Sequence, residues 1–192
     1  MPGWQSFYEQ HASDEFELLT VAMDMQGAKV AKPWVEKADA TYPALVDQSN
    51  KLGTKFQYNY VPLIILFNEQ GRRVYGPQNF SIGDSEDREL LTGWLNDEPG
   101  VLAHRQASDG GQNGEFSEAE AALRFQYANY LLRNDQKASA VKQLEKALTS
   151  DPDNWIIHKQ IWAIEHPEKF YDGNVDFGWQ KEQLEREAQQ NE

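Results

Sequence analysis

No cysteine occurs anywhere in the 192 residues. Disulfides, thiolate metal sites and cysteine nucleophiles are therefore excluded from this chain, and the usual inference from cysteine usage to redox compartment has nothing to act on. Long apolar runs are also missing: the longest, Val61 to Phe67, falls far short of the roughly 20 residues that span a bilayer. No membrane insertion is expected. Basic residues are scarce beside acidic ones, 18 against 31, for a formal net charge of −13. Both halves are net acidic, and neither offers the basic face that a phosphate backbone requires, so no nucleic acid partner is expected. The opening Met1-Pro2-Gly3-Trp4 has neither the basic segment nor the apolar stretch of a signal peptide, and no export address is expected within the chain.

What is present suffices for a core. Hydrophobic residues make up 40% and aromatics 12%, which argues against global disorder, and the length allows one sizeable domain or two small ones. Trp4, Phe7, Tyr8 and His11 share one helical face. Phe16 to Asp24 is rich in β-formers and apolar on both faces, which predicts a strand covered on both sides. Ala28 to Ala38 reads as a helix that tolerates Pro33 only near its first turn. Tyr42 to Asp47 is extended because of Pro43. Leu63 to Phe67 reads as a buried strand, with Arg72 to Tyr75 returning as its hairpin partner. Asp84 or Ser85 caps a helix through Trp94. Alternating helices and strands make this half α/β.

Residues 107–115, ASDGGQNGE, carry three glycines and no large apolar group, and read as linker. Ser117 and Glu120 then supply a capping box. Helix formers dominate from Glu118 on, broken at Arg133-Asn134-Asp135 and at Asp151-Pro152-Asp153, so a helical hairpin and at least one further helix are expected. The stretch AALRFQYANYLLRNDQKASAVKQLEKALTSDPDN, residues 121–154, resembles a tetratricopeptide unit in period and in its small and proline positions. The resemblance implies that Ala128, Ala140 and Ala147 lie where the two helices touch. It also implies that Leu144 fills the groove, that Tyr127 and Leu131 are apolar positions of the first helix, and that Pro152 closes the unit. Residues 155–170 would form the capping helix. One unit is too few for an independent solenoid, so it must lean on other structure. Trp155, Trp162, Tyr171, Phe177 and Trp179 exceed what a small helical cap needs, which marks Trp155, Trp162 and Trp179 as candidate partner-binding aromatics.

Four pieces in order, MPGWQSFYEQH, FELLTVAMD, YPALVD and KFQYNYVPLIILFNEQGRRV, resemble the later part of a thioredoxin-like redoxin of the TlpA/ResA type, related to the AhpC/TSA peroxiredoxins. In that family a Trp-Cys-x-x-Cys segment at the end of the preceding strand carries the chemistry, and Met1-Pro2 aligns a few residues after its second cysteine. The resemblance implies an incomplete thioredoxin-like fold whose central strand would lie between the strands at Phe16–Asp24 and Leu63–Phe67. Without it those two must pair directly or leave open edges, with strand exchange or edge pairing into a homo-oligomer as the expected consequence. It also implies a cis Val61-Pro62 bond and a Tyr60-Val61-Pro62 loop whose Val61 backbone pairs with an extended substrate peptide. For a proline at a strand entrance the residues alone leave an ordinary trans bond open. The family further implies a periplasmic or extracytoplasmic location.

Other chemistry finds little support. His11, His104, His158 and His166 show no i, i+4 pair suited to zinc, and Asp151 to Asn154 lacks the glycine and glutamate of a calcium loop. Glu86-Asp87 and Glu118/Glu120 read as helix N-terminal charges. No phosphate loop, dinucleotide fingerprint or nucleophile elbow occurs, and no cofactor or metal is expected. The sequence thus reads as a redoxin domain over 1–100, a linker over 101–116 and a tetratricopeptide-like helical domain over 117–192. The family activity implied is thiol–disulfide exchange or peroxide handling, without its cysteines here and so inactive as given. The alternative is a non-catalytic thioredoxin-like module that binds a protein or peptide.

Overall fold

Pro2–His11 forms α1, with proline at the first helical position, where its missing N–H costs nothing. A computed structural model describes this helix and the rest of residues 2–11, 16–106 and 119–190. Trp4 stacks on Phe80 at 5.6 Å and Phe7 meets Phe16 edge-on at 6.2 Å, which fixes α1 against the first of two cores. That core gathers Phe7, Phe16, Leu66, Tyr75, Phe80, Ile82, Leu90 and Leu91.

β1 (Thr20–Ala22) pairs in parallel with β2 (Ala44–Val46), Thr20 opposite Ala44. β3 (Leu63–Phe67) pairs antiparallel with β4 (Arg73–Asn79), Leu63 opposite Asn79. The turn between them is closed by Asn68, whose N–H donates to the Arg72 carbonyl at 2.9 Å. Both Val61-Pro62 and Gly76-Pro77 are cis. Gly76 has φ 77°, and a side chain there would place Cβ 2.1 Å from the Ile64 carbonyl oxygen, so only glycine fits. The two strand pairs are separate sheets: β1 and β3 do not bond to each other. The strand expected over 16–24 therefore shrinks to Thr20–Ala22. Leu19, with no second sheet neighbour beside it, stands 55% exposed instead of buried.

α2 (Ala28–Lys37) contains Pro33 at its sixth position, well past the first turn where it was expected. The helix accepts it because Pro33 and Lys29 lie on the exposed face, where water can serve the carbonyl that loses its donor. α3 (Lys51–Phe56) was not foreseen; Asp47 holds its start by accepting from the Leu52 N–H at 2.7 Å. α4 (Ser85–Leu95) is capped by Asp84, which accepts from the N–H groups of Glu86 and Asp87. Val101–Gln106, the first part of the stretch read as linker, forms α5, and its Val101 and Leu102 pack on the first core. The rest of that stretch, the Ser117 cap and the side chain of His104 fall outside the described residues.

α6 (Ala119–Arg133) and α7 (Lys137–Ser150) form a helical hairpin joined through Asp135, which turns the chain at φ 57°. Ala128, Ala140 and Ala147 are 0% exposed, as small residues at a close helix crossing must be, and Leu144, also 0% exposed, fills the space beside them. Leu131 is buried too. Tyr127, expected among the apolar positions, is 51% exposed and stacks on Tyr130, because the buried stripe runs through Ala121, Phe125, Ala128 and Leu131 instead. Ala140→Leu is expected to overpack this crossing and cost about 1–3 kcal/mol, read as a lower urea midpoint at unchanged slope.

α8 (Trp155–Glu165) stops five residues before the expected 170, at His166-Pro167; α9 (Glu168–Tyr171) and α10 (Phe177–Gln190) follow. The second core joins the two parts of the chain: Met25 and Tyr58 share one buried cluster with α6, α7 and α8. Mixed helices and two small sheets, followed by a helical region, are compatible with a partial thioredoxin-like fold.

Candidate functional site

The loop expected to carry the site, Tyr60-Val61-Pro62, enters β3 beside the C-terminal end of β1, and α8 lies against both. Tyr60 and Val61 are half-buried and Pro62 is exposed. α8 is positioned by Asn154, whose Oδ1 accepts from the Ile157 N–H at 3.2 Å and whose Nδ2 donates to Asp151 at 2.8 Å. The first turn of a helix leaves backbone N–H groups without internal partners. Here the Ile156 N–H finds one in the Asn59 carbonyl at 3.1 Å.

One turn on, Lys159 Nζ donates to the Val61 carbonyl at 3.2 Å and lies 5.2 Å from the Trp155 ring centroid. Burial holds its ammonium below the ordinary lysine range, at about 8. Gln160 bonds the end of β1 twice: its Oε1 accepts from the Met25 N–H at 2.8 Å and its Nε2 donates to the Met23 carbonyl at 3.3 Å.

Between them sits a titratable pair. The Tyr171 hydroxyl donates to Asp24 Oδ2 at 2.7 Å and accepts from Gln26 Nε2 at 3.0 Å. Burial raises the Asp24 carboxyl, against the opposing pull of the Tyr171 hydroxyl and the Gln26 N–H. Burial, followed by the Asp24 charge, raises the Tyr171 phenol. At the other side of the loop Tyr58 is pushed up to about 12, by burial first and Asp47 second. A cavity of about 80 Å³ remains, lined by Met23, Asp24, Val61, Lys159, Phe170 and Tyr171 among others. Its polar lining is one carboxyl, one ammonium, one phenol and one carboxamide, each bonded within the protein. No thiol is present in the sequence to react with a disulfide.

The expected aromatic docking residues are placed differently. Trp162 is 2% exposed, lies edge-on to Trp155 at 5.6 Å and to Trp179 at 6.0 Å, and donates from Nε1 to Glu187 at 2.6 Å. It therefore packs α8 against α10 and presents no face to a partner; Trp155 and Trp179 are half-buried around it. His158 lies 2.8 Å from Glu187, His166 beside Glu168, and no group of three metal-ligating side chains occurs among the described residues. Also among the described residues, no helix is long and apolar enough to cross a membrane.

Asp24, Lys159, Gln160 and Tyr171 were not singled out in the sequence as site residues. A signal existed for two of them: His158-Lys159-Gln160 interrupts the apolar run of α8, whose Ile156, Ile157, Ile161, Trp162, Ala163 and Ile164 are all buried.

Comparison with known proteins gives one curated relative and little else. Sporulation thiol-disulfide oxidoreductase A of Bacillus subtilis (strain 168) is 30% identical over 73 residues, 37% of this chain and 44% of that protein. The chain thus spans less than half the length of the curated relative it matches. No family model and no solved structure matches. The similarity supports a thioredoxin-like redoxin relationship, to a protein named as a thiol–disulfide oxidoreductase.

Proposed function

We propose that this chain contributes the cis-proline side of a redoxin domain of the thiol–disulfide oxidoreductase class, of the TlpA/ResA type, followed by a tetratricopeptide-like helical domain. The observation that carries the reading is the 30% identity over 73 residues to a protein named as a thiol–disulfide oxidoreductase, with Val61 of the loop before β3 lining one cavity with Met23 and Asp24 beyond β1. In this reading the Val61 backbone receives an extended peptide, and the reacting thiols are not among these residues. The division into 1–100, 101–116 and 117–192 and the extracytoplasmic location belong to the same proposal.

The chain as given is expected to reduce insulin disulfides, or consume peroxide with dithiol reductant, at the background rate only. Turnover above background would overturn that expectation. Read in frame upstream of the Met1 codon, the source locus is expected to encode a strand ending in Cys-x-x-Cys. A frame that closes there favours the second reading, a non-catalytic thioredoxin-like module that binds protein. What supports that second reading is that the sequence holds no cysteine with which to react. The unshared edges of the two sheets further support pairing into a homo-oligomer, for which a monomer in light scattering at micromolar concentration is the contrary result.

A further inference from the structure

α10 is fastened to the rest of the helical region at two places. At its start the Trp179 N–H donates to Asp176 Oδ1 at 2.9 Å, Lys169 donates to Asp176 Oδ2 at 3.1 Å, and the Trp179 ring meets Trp162 at 6.0 Å and His166 at 5.0 Å. Near its other end Glu187 reaches two groups of α8. Its Oε1 accepts from the Trp162 indole N–H at 2.6 Å, and its Oε2 lies 2.8 Å from His158 Nδ1. At this second place the partners fix the number of protons.

His158 is 9% exposed, and its other ring nitrogen, Nε2, lies 2.8 Å from the Pro152 carbonyl. A carbonyl oxygen only accepts, so Nε2 carries a proton. A neutral imidazole has one proton, and with it on Nε2 the Nδ1 lone pair would face a carboxylate oxygen 2.8 Å away. Nδ1 is itself buried, and no donor among the described residues reaches it. A second proton therefore lies between Nδ1 and Oε2. Because Oε1 already takes the Trp162 N–H, a bond that favours the ionised carboxyl, the carboxylate keeps its charge and the ring is an imidazolium. The surrounding charges are engaged elsewhere or stand apart. Arg186 of α10 pairs with Glu182 at 3.4 Å, Lys159 of α8 bonds the Val61 carbonyl, His166 lies beside Glu168, and in the loop before α8 Asp151 accepts from Asn154 while Asp153 is exposed.

We propose that α10 is a proton-operated latch: with both nitrogens of His158 protonated, Glu187 ties the C-terminal half of the helix to α8, and loss of the Nδ1 proton turns that tie into a lone-pair clash and lets the half-helix swing out about Trp179. The docked helix holds a proton that the released one gives up, so docking is strong at acid pH and weakens as pH rises through the range in which histidine titrates. Release frees the Trp162 indole N–H and opens the Trp155–Trp162 pair to solvent from that side.

The test compares the full chain with its Glu187→Gln variant by hydrogen exchange at pH 5 to 8.5, each rate divided by the intrinsic rate at that pH. In the parent, protection of residues 182–187 is expected to fall about tenfold from the acid to the alkaline end, while residues 125–131 of α6 keep theirs. In the variant the carboxamide oxygen still accepts from Trp162 and its nitrogen can donate to the neutral Nδ1, so protection is expected to stay level. Level protection in the parent overturns the latch, as does a helix unprotected throughout. A fall matched at residues 125–131 is global unfolding and overturns it too. An equal fall in parent and variant assigns the pH effect to a group that the variant retains, such as His166, and is the third contrary result. Should Glu187→Gln fail to fold, His158→Gln carries the same comparison, with level protection expected and a parent-like fall contrary.

Discussion

Trp162→Ala is expected to lower the unfolding free energy by about 3–5 kcal/mol, the range for emptying an aromatic site in a packed core. The ring is 2% exposed and touches Trp155 on its own helix and Trp179 on α10, so no single neighbour can collapse into the space. The loss is compounded at Glu187, which forfeits the 2.6 Å bond from the indole N–H and keeps His158 at 2.8 Å. That carboxylate is 28% exposed, so water takes up part of the deficit. Urea unfolding followed by far-UV circular dichroism should give a lower midpoint at unchanged slope. A loss under about 1 kcal/mol would mean that the ring lies at the surface in solution, and would restore it as a docking residue.

Lys159→Met should act in the opposite direction and show it through pH. Burial places the Lys159 ammonium at about 8, against 10.5 for an ordinary lysine. Between those two values the unfolded chain holds this proton and the folded chain does not, so the unfolded state binds more protons and stability rises with pH across the window. Below pH 8 the destabilisation is fully present; above 10.5 it is gone. Its size is on the order of 3 kcal/mol. Methionine keeps the apolar stem against Trp155, removes the charge and gives up the bond to the Val61 carbonyl. The variant is expected to be about 1–2 kcal/mol more stable at pH 7, with the advantage vanishing toward pH 10.5. Denaturation curves of both proteins at four pH values from 7 to 10 decide it. A difference that stays constant across the series would mean that Lys159 is hydrated in the folded chain.

Local signals explain which parts of this fold could be read from sequence. Hairpin strands Leu63–Phe67 and Arg73–Asn79, the Asp84 cap and the alanines of the α6–α7 crossing each announce themselves within a few residues, through β-branched runs, a carboxylate before a helix, or spacing at one helical face. The extent of β1 did not, because strand length depends on a neighbour, and among the described residues β2 alone is a strand bonded to it. Pro33 misled for a related reason: whether a proline is tolerated inside a helix depends on which face meets water. The loop Tyr60-Val61-Pro62 was legible through the order of the surrounding motifs. Lys159, which bonds that loop, and Gln160 and Tyr171, which bond the segment after β1, were not, since they lie 98 to 147 residues further along and nothing local connects them to Val61, Met23 or Asp24. Aromatic count alone also failed to separate a docking surface from an interior, as Trp162 demonstrates.

The distance along the chain between those partners bears on how the molecule is assembled during synthesis. Bonds from α8 and Tyr171 to Asp24, Met25 and Val61 join residues 98 to 147 positions apart. A ribosome therefore releases the first third of the protein with the Met25 N–H and the Val61 carbonyl still waiting for groups not yet translated, and with Met25 and Tyr58 short of the side chains that bury them. Both strand pairs and the first core lie within the first 102 residues and can form as they emerge, but the segment after β1 and the loop before β3 are completed only when α8 and Tyr171 have been made. A nascent chain stalled before Trp155 holds those main-chain groups unsatisfied.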